Sequence, residues 1–334
     1  MRRGTAVRVA TWWCAGVAAL VLLGIASVAF GSLGVTLADI VHALGGSSET
    51  VAEAAVSKRM PRTVLAMLVG AALALSGAAM QAVTRNPLAD PGILGVSSGA
   101  SLAVVIAIAF FGMSGAYPTM VVAVCGATIV AVFVFAVGSL GRGGATPLKL
   151  ALAGAATGAA CISMVSAVLL PRIDIIKDFQ FWQIGGVGGA TWDRIAIVAP
   201  VLLVAALVCF ASARGMNSLA LGDDLAAGLG ANVARTRIIA SAAAVVLCGV
   251  SVAVAGPIGF VGLVVPHACR MLTGPDHRWM LPLSAMVGAA LLTAADTLGR
   301  VIARPEEIEV GILTAVLGAP FFIWIVRRQK VREL

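Results

Sequence analysis

Along this chain, hydrophobic and polar positions segregate on the scale of whole helices: long apolar runs are cut by short segments rich in charge, Gly or Pro. An α-helix needs about 20 apolar residues to cross a bilayer. On that measure the runs predict about ten spans, near 11–30, 64–83, 99–112, 119–138, 149–170, 195–213, 238–255, 260–272, 281–298 and 310–326. The third and eighth runs fall short of a bilayer's thickness. The expectation is an all-α, polytopic integral membrane protein, with a single transmembrane domain over 1–334.

Composition agrees. Hydrophobic residues make up 60% and charged residues 11% of the 334, with a mean hydropathy of +1.04, whereas a soluble domain carries about 25% charge. A water-soluble globular protein is excluded. The net charge of +8 reflects the bias of basic residues toward cytoplasmic loops rather than nucleic-acid binding. Arg2, Arg3 and Arg8 precede the first run, and Arg327, Arg328, Lys330 and Arg332 follow the last. Both ends are therefore expected in the cytoplasm and the number of spans is expected to be even. The basic start before an apolar run resembles a signal peptide, but that run exceeds the 7 to 15 residues of a signal core and reads as the first span. Ten spans leave Lys58, Arg59, Arg62, Arg172, Lys177, Arg194, Arg300 and Arg304 outside, against the bias.

Small residues recur at four-residue intervals, as in Gly70, Ala74 and Ala78 or Gly154 and Gly158, which lets helix backbones approach closely in lipid. Asp296 is the main ionisable group within the runs, and Arg300 lies one turn later, where it can pair with it. A proton-relay or ion-coupled carrier usually shows more intramembrane carboxylates. The phosphate-cradling pattern of P-loop ATPases needs Lys before Ser or Thr. Here Lys58, Lys149, Lys177 and Lys330 precede Arg, Leu, Asp and Val. ATP-driven transport would need a separate subunit, and the segment 214–237 is the expected cytoplasmic loop for it. Gly222 can break one short helix and Asp223 or Asp224 cap the next, with Leu225, Ala226 and Leu229 as its apolar face. An ordinary interfacial loop would read the same.

Cys14, Cys125, Cys161, Cys209, Cys248 and Cys269 stand singly in apolar stretches, giving neither a disulfide framework nor a zinc pattern. The three histidines, His42, His267 and His277, fall on mixed sides and assemble no metal site. Iron, if carried, would travel inside a chelate. No nucleophile–base pair or carboxylate pair has usable spacing, which disfavours an intramembrane enzyme.

The residues Arg59-Met-Pro-Arg62, Gly70, Ser76-Gly77, Gln81, Arg85-Asn86-Pro87-Leu88-Ala89-Asp90-Pro91, Leu94-Gly95 and Gly99-Ala100 resemble the signature of the FecCD family. That family comprises the permease subunits of ATP-binding cassette importers for iron-siderophores, haem and cobalamin. The match continues through Phe181-Trp182, Gly185-Gly186, the 217–230 segment, Gly256 to His267, Arg270, Asp276-His277-Arg278, Asp296, Arg300 and Gly318-Ala-Pro320. The resemblance implies a second permease subunit, two cytoplasmic ATP-binding subunits that hold ATP and Mg, and an extracytoplasmic substrate-binding protein. It implies no cofactor in this chain and no nucleic acid. It also implies docking of the binding protein at Arg59, Arg62 and Arg300, for which residue type alone would favour snorkelling at the membrane surface or, for Arg300, pairing with Asp296. It further implies coupling to the ATPase through Gly222, Asp223, Ala226 and Gly230, and a cytoplasmic gate at Asn86, Leu88 and Thr146. A ferric siderophore is the expected cargo, with haem or cobalamin as alternatives and an ion-coupled carrier as the rival class. One departure stands out: where the family has Glu-Leu-Pro-Val-Gly, this chain has Glu307-Ile-Glu309-Val-Gly311, which puts the external geometry there in question.

Overall fold

The computed structural model describes residues 3–113, 115–140 and 146–328. Arg2, Lys330 and Arg332, used above to orient the chain, lie outside the described residues. Among those described, the regular structure is helical throughout. In chain order the helices are α1 (Arg3–Ala29), α2 (Leu37–Leu44), α3 (Val51–Thr84), a short 3-10 helix (Pro91–Leu94), α4 (Val96–Phe111), α5 (Ala116–Gly138), α6 (Pro147–Leu169) and α7 (Ile173–Ile184). They continue as α8 (Trp192–Ala211), α9 (Ala213–Leu219), α10 (Asp223–Gly228), α11 (Val233–Ala255), α12 (Val261–Thr273), α13 (His277–Ile302) and α14 (Val310–Arg328).

Seven of these, α1, α3, α5, α6, α8, α11 and α13, are long and apolar enough to cross a membrane, and α4, α12 and α14 are shorter apolar helices. Each of the ten expected runs coincides with one of them. The two short runs are short for a reason. At 1.5 Å per residue, α4 and α12 reach only about 24 and 20 Å, less than the roughly 30 Å hydrocarbon layer. Backbone outside the α-helices precedes each of them and is packed inside the protein, with Ala89 and Leu94 buried before α4 and Ile258 buried before α12. Irregular backbone at that depth is tolerated because protein satisfies its polar groups; the Gly186 N–H, for example, donates to Ala255 O at 2.7 Å.

α3 is the axis of the bundle. Its 34 residues pack against α1, α8, α11, α12 and α13. The small residues set these approaches. A Cβ at Gly70 would strike the Gly288 carbonyl on α13, one at Gly288 would strike Gly70 O and Ala74 Cβ, and one at Gly77 would strike the Gly262 carbonyl on α12. In lipid there is no hydrophobic drive between helices, so this backbone proximity and the dispersion contacts it permits hold them together.

Two helices were not expected. α2 and α7 occupy stretches that read as external loops, because neither is long enough to register as a span. α2 begins with a reciprocal capping box, in which Thr36 Oγ1 accepts from the Asp39 N–H and Asp39 accepts from the Thr36 N–H. The expected cap at Asp223 or Asp224 also needs correcting. Gly222 is itself the N-cap of α10, with φ +99° and no side-chain cap. Both aspartates fall in the first helical turn, where their charge still complements the helix dipole.

Candidate functional site

At one end of the bundle Arg59, Arg62 and Arg300 lie close together, and two of them, Arg62 and Arg300, share one carboxylate. Asp296, 1% exposed, pairs with Arg62 at 2.8 Å and with Arg300 at 3.1 Å. Arg62 also reaches Glu307 at 2.6 Å, and Glu307 accepts from Ser32 Oγ at 2.9 Å. Arg59 and Arg300 also bond the C-terminal end of α1, besides Leu33 O for Arg59 and Thr297 Oγ1 for Arg300. Arg300 donates to Ser27 O at 3.0 Å and Ser27 Oγ at 2.7 Å, and Arg59 to Val28 O and Ala29 O, both at 3.2 Å. The last carbonyls of a helix lack intrahelical partners and carry its negative dipole end. Two of the three arginines therefore close the end of α1. Arg59 and Arg300 are 5% and 1% exposed, so their charge is spent within the protein, and Arg62 keeps a narrow opening. Lys58 and Arg304 beside them are exposed.

Below this rim three backbones cross at glycines. A Cβ at Gly256 would collide with the carbonyl of Trp182, one at Gly185 would press on that of Pro257, and one at Gly311 would collide with that of Ile184. The Gly311 N–H also donates to Gly185 O at 3.0 Å. The C-terminal end of α7, the α11–α12 connection and the start of α14 are thus tied together. Glu309 packs its carboxylate against Gly186. Its Oε2 is buried without a hydrogen-bond partner. Burial pushes the Glu309 pKa up, Arg62 opposes the rise, and Asp296 and Glu307 add to it. Glu307, by contrast, is held below the usual range: its own burial works against this, but the Arg62 bond, the Ser32 bond and the nearby Arg300 charge prevail.

At the other end, α9 and α10 form the helical pair expected in 214–237. Asp223 pairs with Arg237, at the start of α11, at 3.1 Å and with Arg85, just past α3, at 3.3 Å. Arg85 takes up the left-handed conformation, φ 51°, which ends α3 and turns the guanidinium toward α10. Ala226 is fully buried, so the outward apolar face differs from the expected one. It consists of Leu221, Leu225 and Leu229, exposed by 53, 65 and 72%. Gly222 and Gly230 both have positive φ, +99° and +79°. Sequence reading quoted Arg85 only within the family signature and missed its pairing with Asp223, as it missed the parts played by Arg237 and Leu221. The signal for the first two was a pair of basic residues flanking an acidic loop, and for the third its four-residue spacing from Leu225.

Of the gate candidates, Asn86 closes a local turn by accepting the Leu88 N–H at 3.0 Å, and Leu88 is exposed. Thr146 is the N-cap of α6, with Oγ1 accepting the Lys149 N–H. The two loops are linked through the 3-10 helix Pro91–Leu94, which packs on both α4 and α6. Among the described residues no cluster of His, Cys, Asp or Glu is placed to hold a metal ion.

Comparison with known proteins places this architecture. The model of the FecCD transport family matches residues 19–328. The chain is 40% identical over 311 residues to the ferric enterobactin transport system permease protein of Escherichia coli (strain K12), covering 93% of each chain. It is 38% identical over 316 residues to the hemin transport system permease protein of Yersinia pestis, again covering 93% of each. A solved structure of a metal-chelate type ABC transporter in an inward-facing conformation superposes with a TM-score of 0.84 at 28% identity, covering 96% of this chain and 99% of that one.

Proposed function

The chain belongs to the FecCD transport family, and from that premise we propose that it is the permease subunit of an ATP-binding cassette importer that moves a ferric siderophore across the cytoplasmic membrane of a prokaryote. It works with a second permease subunit, two cytoplasmic ATP-binding subunits and an extracytoplasmic binding protein, and both its termini face the cytoplasm. The observation that carries the reading is the α9–α10 pair. An exposed leucine stripe on a short helical pair suits insertion into a partner's groove. Asp223 ties that pair to Arg85 and Arg237, hence to α3 and α11, two helices that pack against each other at the centre. A push on α10 is thereby delivered to the axis of the bundle, and the pathway opens by alternating access. The Asn86–Leu88 turn and Thr146 form the cytoplasmic gate.

Docking of the binding protein falls to the opposite rim. Complementary charge there steers encounter and register. Arg59, Arg62 and Arg300 serve it from beneath, by holding the end of α1 and the Glu307 loop in place, while exposed Lys58 and Arg304 meet the partner's carboxylates. Substituting both Lys58 and Arg304 with Glu weakens binding-protein docking and leaves the melting temperature unchanged. An unaltered affinity for the binding protein contradicts this division of roles.

The enterobactin relative supports a siderophore, and the hemin relative supports haem as a second cargo. Uptake of labelled ferric chelates and of haem by a strain lacking this gene, with and without the gene restored, decides between them. The proposed cargo predicts restored siderophore uptake that is lost when the P-loop lysine of the ATP-binding subunit is replaced.

A further inference from the structure

Between the inner end of α3, the α9–α10 connection and the α12–α13 turn lies a cavity of about 220 Å³. Its polar wall is made by Gln81, Arg85, Arg270 and His277. Arg270 donates to Gln81 Oε1 at 3.0 Å and, among the described residues, meets no carboxylate. Arg85 pairs with Asp223, which is itself shared with Arg237. Positive charge in this cavity thus exceeds the negative charge offered to it.

His277 adds a chemical constraint. Asn217 Nδ2 donates to the Asp276 carboxylate at 2.7 Å, which fixes the amide so that Asn217 Oδ1 faces His277. That oxygen accepts from the His277 backbone N–H at 2.9 Å and lies 2.7 Å from His277 Nδ1. An amide oxygen only accepts, so Nδ1 carries the ring proton and Nε2 presents a lone pair. Nε2 is buried without a partner in a residue only 5% exposed. Buried polar atoms are nearly always satisfied. A group that offers negative oxygens to two guanidiniums and a proton to an imidazole nitrogen fits this wall.

We propose that this cavity binds a protonated phosphate group, with Arg85 and Arg270 on its anionic oxygens and its P–OH donating to His277 Nε2. Guanidinium groups suit phosphate oxygens. Inorganic phosphate and a phosphate monoester on a lipid headgroup share this chemistry. Sulfate, which has no proton at neutral pH, does not. The consequence rests on the importer reading: a phosphate on Arg85 competes with Asp223 and loosens one of the two ties that hold the coupling helix.

The test uses the full-length permease in phosphatidylcholine nanodiscs, without ATPase or cargo, dialysed to equilibrium against radiolabelled phosphate or sulfate. Saturable phosphate binding is expected, with sulfate weaker by about tenfold or more, because a site built for a donor rejects an analogue that lacks it. Arg270→Gln and Arg85→Gln should each weaken phosphate binding by about tenfold. His277→Phe should bring phosphate down to the level of sulfate. Melting temperature and monodispersity identify any variant that has lost its fold, and Arg85, the most exposed of the three, is the variant least at risk. Nanodiscs containing phosphatidic acid separate the sources: displacement of the labelled ion shows the headgroup as occupant, and undiminished binding shows the free ion, either of which supports the site. No saturable binding, equal binding of sulfate, or unchanged affinity in both arginine variants overturns it. Such a failure leaves the importer reading standing, since neither ATP hydrolysis nor uptake enters the assay.

Discussion

At the scale of single residues, the charge cluster around Asp296 shows what burial does to a reading from charge alone. Arg59 and Arg300 read as exposed receivers of a partner's carboxylates, because basic residues outside the membrane go against the usual bias. Their contacts with the open carbonyls of α1 and with Asp296 give them another role. One-dimensional sequence places Asp296 and Arg300 one turn apart, so their pairing was legible. It gives no sign that the end of α1 lies beside them. Asp296→Asn leaves the buried Arg300 without a carboxylate and Arg62 with Glu307 alone, and should destabilise the protein by about 3–5 kcal/mol, read as a fall in the thermal midpoint of the purified protein. A midpoint unchanged from the parent refutes the buried role. Glu309 behaves in the opposite sense. Burial raises its pKa above the unfolded value, so its contribution is favourable below the unfolded pKa and is lost as pH rises through the folded one. Glu309→Gln should raise the melting temperature at neutral pH and flatten its dependence on pH in that range; a lower midpoint at pH 7 would falsify the assignment. Asp276 is the contrasting case. Its bonds from Arg278, chiefly, and from Asn217 lower its pKa to about 2, so its stabilisation persists at neutral pH and is lost only as pH falls from near 4 toward 2.

At the scale of elements, the ten membrane runs were legible because lipid imposes length and apolarity together. Helices without that constraint were harder to see. α2 and α7 lie outside the spans and announce themselves only by caps and short apolar faces. In α10 the expected apolar face included Ala226, but close packing of α9 and α11 against α10 draws that methyl inward and leaves Leu221 out. Substitution at Leu225 therefore separates function from folding. Leu225→Glu places a charge on the exposed stripe and should abolish stable association with the ATP-binding subunit, while insertion and melting temperature stay as in the parent. Gly222→Val meets a different barrier, because a β-branched residue at φ +99° is strained. It should shift α10 and uncouple ATP hydrolysis from uptake. Normal uptake in either variant counts against the coupling role.

At the scale of the whole molecule, the chain is an axis with two differently built ends. α3 joins them: its N-terminal half holds Arg59 and Arg62, and its C-terminal end is followed by Arg85, which pairs with Asp223 on α10. Close glycine contacts with α12 and α13 make that axis stiff, since a side chain at Gly70, Gly77 or Gly288 has no space. Stiffness suits an element that must carry displacement from one face to the other rather than absorb it. The small-residue pattern made such packing legible, but only the fold shows that Gly70 meets Gly288 and Gly77 meets Gly262, across more than 180 positions of sequence in each case. The most direct test of the central claim is transport by proteoliposomes. With the ATP-binding subunits, the binding protein and ATP present, the ferric chelate should accumulate in vesicles against its gradient. With the permease alone, under an imposed proton or sodium gradient, no accumulation should occur. Uphill uptake by the permease alone would contradict the account.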